Sequence, residues 1–246
     1  MSVPVLDRDP PNPVRFLRIH DHPVQTYIRG ALVSLALVAT LSIGLGILLT
    51  HVVLHAGGMA ADDESFERFL AGHRSPGLTH ASLIGSIMAG GVVLPIVVGA
   101  AALIGAVVRH WRLAAFLAFA LAVESGSYRA TTLVVHRHRP DVPRLEQLPV
   151  NASYPSGHTA ASIAVYWGIA LVLSSRTSSA RARVLIWAVA ALIPPFVAFS
   201  RMYRGMHHPL DVAGGAIVGI AALTCMVLVS RVSGRQPTPP APYPRP

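Results

Sequence analysis

The 246-residue chain is 52% hydrophobic and only 13% charged, with a mean hydropathy of +0.53, whereas soluble domains carry about 25% charged residues. That composition excludes a water-soluble globule. The formal net charge is +9, carried on arginines alone since lysine is absent; these arginines lie in short loops between apolar runs rather than in one stripe, which argues against nucleic acid as a partner.

The apolar runs are continuous rather than alternating, and each approaches the roughly 20 residues a helix needs to cross a bilayer. A β-barrel does not fit that pattern, so the expected fold is all-α, a polytopic membrane protein with six transmembrane helices. Residues 1–27 are polar and proline-broken, unlike a cleaved signal, and are expected to form a cytoplasmic N-terminal segment. The spans follow at 28–54, 81–108, 113–135, 158–175, 184–199 and 212–232. Together, residues 28–232 are expected to form one domain. The second span holds Gly85, Gly90, Gly91 and Gly99, and the last holds Gly215 and Gly219, small residues that let helices approach closely. In the fifth, Pro194 and Pro195 are expected to kink or break the helix. Residues 233–246 are expected to be a disordered, proline-rich cytoplasmic tail. Cys225 is the single cysteine, so no internal disulfide forms.

With the N-terminus inside, twelve arginines fall on the cytoplasmic side and seven on the other, which is the bias of a multi-pass inner (plasma) membrane protein. Both termini are then cytoplasmic. The acidic cluster Asp62, Asp63, Glu64 and Glu67 falls on the periplasmic or extracellular face.

In this topology three polar clusters emerge on that same outer face: Arg137-His138-Arg139-Pro140, Tyr154-Pro155-Ser156-Gly157-His158, and Ser200-Arg201 through His207-His208 to Asp211. Arginine forks bind phosphate bidentately and remain charged. Ser-Gly at a helix start offers backbone N–H groups to an anion. His158 and His207, from different spans, can divide the roles of general acid and nucleophile. Asp211 lies four residues after His207, where its carboxylate can hold one ring nitrogen.

These clusters resemble the three signature motifs of the type 2 phosphatidic acid phosphatase (PAP2) superfamily, in its bacterial membrane lipid phosphatase branch. The family patterns are K-x6-R-P, P-S-G-H and S-R-x5-H-x3-D. Pro155-Ser156-Gly157-His158 matches the second in full, and Ser200-Arg201, His207 and Asp211 match the third in full. The first departs: Arg139-Pro140 is present, but Thr132 stands where the family has lysine. Arg129, one turn deeper, is the first candidate to replace that contact, because an intramembrane charge is costly and usually functional; His136 and Arg137 come next.

The resemblance implies an integral membrane enzyme that hydrolyses a phosphomonoester or pyrophosphate of a lipid through a phosphohistidine. His207 would attack phosphorus, Asp211 would orient it, and His158 would protonate the departing oxygen. Arg139, Arg201, Ser156 and Gly157 would stabilise the phosphoryl oxygens. The scheme calls for no cofactor and no metal. Phosphatidic acid, phosphatidylglycerol phosphate and a polyprenyl pyrophosphate all fit as substrates. The alternative is a non-catalytic lipid-phosphate binding or transport protein on the same scaffold. Besides the lipid phosphate and surrounding membrane lipids no partner is implied, and the sequence leaves the oligomeric state open.

Overall fold

The computed structural model describes residues 24–108 and 111–232. Residues 1–23 of the expected N-terminal segment and the tail 233–246 lie outside the described residues. The described chain is helical: α1 Val24–His51, α2 Met59–Gly72, α3 Pro76–Met88, α4 Val93–Val107, α5 Trp111–Val134, α6 Gly157–Ser174, α7 Ala180–Tyr203 and α8 Pro209–Val232. α6 is continuous but widens into a π turn over Ile163–Trp167.

Four of these helices, α1, α6, α7 and α8, are long and apolar enough to cross a membrane, or five crossings if α3 and α4 count as one. The expected second span is thus two helices bent by 48°. The bend falls at Ala89-Gly90-Gly91-Val92, where consecutive glycines remove the side chains that would hold a helix straight. The expected third span, α5, has the length at 24 residues. Its second half, however, carries Glu124, Ser125, Ser127, Tyr128 and Arg129, which offsets the apolar first half. In α7, Pro194 and Pro195 do not break the helix, which runs on to Tyr203 and so delivers Arg201 on its last turn.

The helices pack around α5, α6 and α8. α1 lies against α5 and α8, α3 against α7, and α4 against α5. Phe116, Leu117 and Ala120 of α5, Ala160 and Val165 of α6, and Val218, Ala222 and Met226 of α8 form the centre of the buried core. Without a hydrophobic drive between helices in lipid, close packing holds such a bundle together. The glycines of α8 show how close: a Cβ at Gly215 would sit 2.4 Å from the Ser156 carbonyl oxygen, and one at Gly219 would sit 2.5 Å from that of Ala160. This contact fixes the start of α6 against the start of α8. Large apolar side chains such as Leu133, Val184, Leu185 and Leu192 face outward, as a lipid-facing surface requires.

Candidate active site

The three polar clusters meet at one end of the bundle, and the chain after α5 explains how. Residues 135–139 alternate, with Val135, Arg137 and Arg139 buried and His136 and His138 exposed, the period of an extended segment. The segment returns on itself through Arg139 N–H to Val150 O at 2.9 Å and Ser153 N–H to Arg137 O at 3.0 Å. This places Ser153 and Ser156 beside α8. The third cluster is shaped by a glycine: α7 ends at Tyr203, and Gly205 takes φ +69°, the left-handed turn that closes a helix C-terminus. Met206 N–H then reaches back to Arg201 O at 3.0 Å, and His207 follows pointing into the bundle end.

His207 is 2% exposed, and its Nδ1 lies 2.7 Å from the Ser153 carbonyl oxygen. A carbonyl only accepts, so Nδ1 carries the hydrogen and Nε2 keeps its lone pair. Burial first, and then the Arg201 and Arg139 guanidiniums, hold the His207 pKa well below the ordinary histidine range. The ring is therefore neutral at pH 7. Asp211 does not hold this ring directly: its Oδ2 is 3.9 Å from Nδ1, because the Ser153 carbonyl already occupies that direction.

Asp211 is instead the centre of a buried network. Arg137 donates to Asp211 Oδ1 through Nη1 and to Asp63 Oδ2 through Nη2. Ser153 Oγ donates to Asp211 Oδ2 at 2.5 Å, and the His208 backbone N–H does so at 2.9 Å. The His208 ring also lies between Asp211 Oδ2 at 3.2 Å and Glu64 Oε2 at 3.0 Å. Charge-assisted bonds of this kind set geometry as well as energy. Two elements of the acidic helix α2 thereby reach the carboxylate that the sequence placed beside His207.

Arg201 is fully buried. Its Nη1 donates to Ser86 Oγ at 2.5 Å and to Glu146 Oε2 at 2.7 Å, while Nε and Nη2 have no hydrogen-bond partner among the described residues. Glu146 also accepts from Arg204 Nε at 2.5 Å. Burial pushes the Glu146 carboxyl up, but Arg201, Ser86 and Arg204 outweigh it and hold the pKa at about 2. A buried donor left unpaired costs about 1–3 kcal/mol, and this guanidinium holds two of them, enclosed behind the cavity lining rather than on it.

Arg139 uses Nε and Nη2 on the carbonyls of Pro149 and Ala152 at 2.8 and 2.9 Å, and Nη1 on the carbonyl of Met206. It ties the segment just before the second cluster to Met206 of the third, and it adds positive charge to a cavity at this end of the bundle. That cavity has a volume of about 300 Å³, and its wall includes Arg139, Gly157, His158 and His207. Arg129 is exposed yet belongs to the same wall. Ser156, fully buried, has Oγ 3.0 Å from Thr159 Oγ1, and its N–H donates to Asp211 O at 2.9 Å. Thr132, the position of the missing lysine, donates Oγ1 to its own helix at Arg129 O, 3.0 Å away. His136 and His138 are exposed and do not line the cavity.

The sequence offers no signal for Ser153, Glu146 and Arg204, and shows His208 only as the neighbour of His207. Nothing local marks them, because their partners lie dozens of residues away. Glu67 was noted only as part of an acidic cluster. It is 1% exposed, and neither carboxyl oxygen has a partner among the described residues. Burial, then Asp63, Asp211 and Glu64, raise its pKa to about 9 against the pull of Arg74. A group raised on folding gives its full stability below its unfolded pKa and loses it as pH climbs to the folded value. Stability should therefore decline between the ordinary glutamate pKa of 4.5 and about 9. Glu67→Gln, which keeps the shape without titrating, is expected to gain stability over the unsubstituted protein at about pH 8 and to lose that advantage at about pH 5. Thermal unfolding of both proteins at the two pH values checks this, and a constant difference between them would refute it.

Residues 109–235 match the family model described as the PAP2 superfamily. The chain is 33% identical over 144 residues to decaprenylphosphoryl-5-phosphoribose phosphatase of Mycobacterium tuberculosis, covering 54% of this chain and 70% of that protein. It is 36% identical over 75 residues to undecaprenyl-diphosphatase of Sulfolobus acidocaldarius, covering 30% of this chain and 32% of that one. In fold it is similar to a transmembrane PAP2-type phosphatidylglycerolphosphate phosphatase of Bacillus subtilis, with TM-score 0.64 and 19% identity over 82% of this chain and 94% of the other. It is likewise similar to LpxE of Aquifex aeolicus, with TM-score 0.53 and 23% identity over 67% and 92%. With its family model spanning more than half the sequence and its helices following the fold of these membrane phosphatases, the chain belongs to the PAP2 superfamily and is a membrane phosphatase of that family.

Proposed function

We infer that the protein removes a terminal phosphate from a membrane lipid through a phosphohistidine on His207, without a metal. The observation that carries this reading is the neutral His207, its tautomer fixed by Ser153, on the wall of a cavity shared with His158 and Arg139. Nε2 of His207 attacks phosphorus as the bond from phosphorus to the lipid oxygen breaks, and His158 delivers a proton to that departing oxygen. Water, giving its proton to His158, then cleaves the nitrogen–phosphorus bond and releases inorganic phosphate. The unpartnered nitrogens of Arg201, the charge of Arg139, and Ser156 with Gly157 at the start of α6 stabilise the charge that develops on the phosphoryl oxygens. Asp211, tied to Arg137, Ser153 and His208, holds the His207 segment and favours the cationic ring formed during transfer. A site at span ends lets the lipid chain stay in the bilayer. The arginine distribution supports a site on the periplasmic or extracellular side, with a lipid phosphate of that leaflet as substrate.

Arg129 takes the place of the absent lysine and contacts an anionic oxygen of the substrate. Arg129→Ala is expected to lower kcat/KM by about 10- to 100-fold, the equivalent of the roughly 1.5–3 kcal/mol of a hydrogen bond to a charged group. The reading is tested by phosphate release from detergent-purified protein in EDTA, with phosphatidic acid, phosphatidylglycerol phosphate, decaprenylphosphoryl-5-phosphoribose and undecaprenyl pyrophosphate as substrates. Release in EDTA from at least one of them is expected. Folded protein that binds these lipids and releases phosphate from none would favour the binding or transport alternative.

A further inference from the structure

The cavity reaches beyond the residues that handle the phosphoryl group. At about 300 Å³ it holds on the order of ten water volumes, several times what a phosphoryl group fills. Its lining also includes Glu124, Ser125 and Tyr128 from the polar half of α5 and Gly90 and Gly91 at the break between α3 and α4. Tyr128 packs at the level of Gly157, where a Cβ would lie 3.0 Å from its ring. Glu124, four residues earlier, lies about 6 Å farther along the helix, away from the bundle end that carries His207 and toward the bilayer.

Glu124 is 1% exposed. Ser125 Oγ donates to its Oε2 at 2.9 Å, and Oε1 has no hydrogen-bond partner among the described residues. No ion pair joins it to Arg129, which lies five positions on and faces another side of the helix turn. A carboxyl oxygen unsatisfied in the wall of a ligand cavity costs the fold about 1–3 kcal/mol and gives the packing nothing in return. Glu124 lines the cavity one turn lipid-ward of Tyr128 with Oε1 itself enclosed, so the carboxyl meets a substrate there by turning toward the cavity.

We propose that Glu124 is a specificity-determining residue that hydrogen-bonds a free hydroxyl on the headgroup unit bearing the terminal phosphate, selecting lipids whose phosphate sits on a hydroxyl-bearing headgroup. The assignment rests on the phosphatase reading above. A hydroxyl both donates and accepts, so it pairs with Oε1 whether the carboxyl is ionised or protonated. An ester oxygen or a second phosphate directly next to the scissile one only accepts. An amine would add a cation to a wall that already holds Arg129 and Arg139. Glycerol and a pentose share the required chemistry, and the two are separated by the substrates used.

The experiment compares kcat/KM for two hydroxyl-bearing substrates, phosphatidylglycerol phosphate and decaprenylphosphoryl-5-phosphoribose, with two that lack the hydroxyl, phosphatidic acid and undecaprenyl pyrophosphate. Unsubstituted protein, Glu124→Gln and Glu124→Leu are measured. The unsubstituted protein is expected to favour at least one hydroxyl-bearing substrate by about tenfold or more, and Glu124→Leu to erase that preference. Glu124→Gln, which keeps an acceptor and a donor, should retain part of it. Glu124→Leu should melt no lower than the unsubstituted protein, since the one bond it gives up, from Ser125 to Oε2, is offset by removal of the unpartnered Oε1; a purely structural role would lower its Tm and leave the substrate ratio unmoved. The preferred substrate, glycerol or pentose, names the source of the hydroxyl. An unchanged ratio in Glu124→Leu would overturn the proposal while leaving the phosphatase reading intact. Release from none of the four would overturn that reading itself, and this proposal with it.

Discussion

His207→Ala is expected to lower phosphate release by about 10⁴-fold or more while the protein remains folded, as loss of a nucleophile does in other covalent mechanisms. The size of the effect follows from the division of labour in the site. Arg139 is committed to three backbone carbonyls, and Arg201 is anchored to Ser86 and Glu146. In the proposed mechanism these groups bind and polarise the phosphoryl group without the imidazole, but they leave only water to attack it. Substrate affinity in His207→Ala should therefore survive far better than turnover. The measurement is single-turnover phosphate release alongside lipid binding in detergent, with size-exclusion elution confirming the fold. An His207→Ala protein with ordinary turnover would show that another residue performs the attack.

The second large effect is expected at Arg137, which no substrate needs to touch. It is 6% exposed and bridges Asp63 and Asp211, whose side chains are 2% and 0% exposed. Arg137→Met strands two buried carboxylates at once, and breaking a buried pair in this way costs about 3–5 kcal/mol. Turnover should fall as well, because Asp211 is released from one of the groups that fix it beside His207. Arg137→Lys brings back a charge but not the fork that spans both carboxylates, so it should recover only part of the loss. Adding Asp63→Asn to Arg137→Met removes one of the stranded charges and should restore stability relative to the single variant. Thermal unfolding of the set as a double-mutant cycle reads the coupling directly. If Asp63→Asn were as damaging in the Arg137→Met background as in the unsubstituted protein, the bridge would carry no energy.

These two residues also show how far the chain could be read in advance. His158, His207, Asp211, Arg139 and Arg201 were legible because they stand at fixed spacings next to prolines, glycines and serines that shape the backbone. The meeting of all three clusters at one end followed from counting spans. The bridge from Asp63 through Arg137 to Asp211 was not legible: its members are separated by 74 residues on either side, and no local pattern records such a contact. Glu146 reads as one more loop acid until Arg201, Arg204 and Ser86 converge on it.

Helix limits failed for a different reason. Gly90 and Gly91 were read as packing glycines, yet two in succession next to Ala89 let the helix part, and α3 and α4 diverge there. Pro194 and Pro195 point to a kink or a break, and the helix does not break there but runs through to Tyr203. In α5 the same polar residues that weaken the hydropathy signal supply Glu124 and Arg129 to the cavity wall. Local rules yield most readily where a site has to be built.

Whether His207 itself carries the phosphoryl group is decided by the stereochemical course at phosphorus. A lipid phosphorothioate made chiral with oxygen isotopes, hydrolysed by the purified protein in isotopically labelled water, gives thiophosphate whose configuration can be read. Two in-line displacements, first by His207 Nε2 and then by water, predict net retention. Net inversion would mean that water attacks the substrate directly, and would contradict the phosphohistidine on which the proposed mechanism depends.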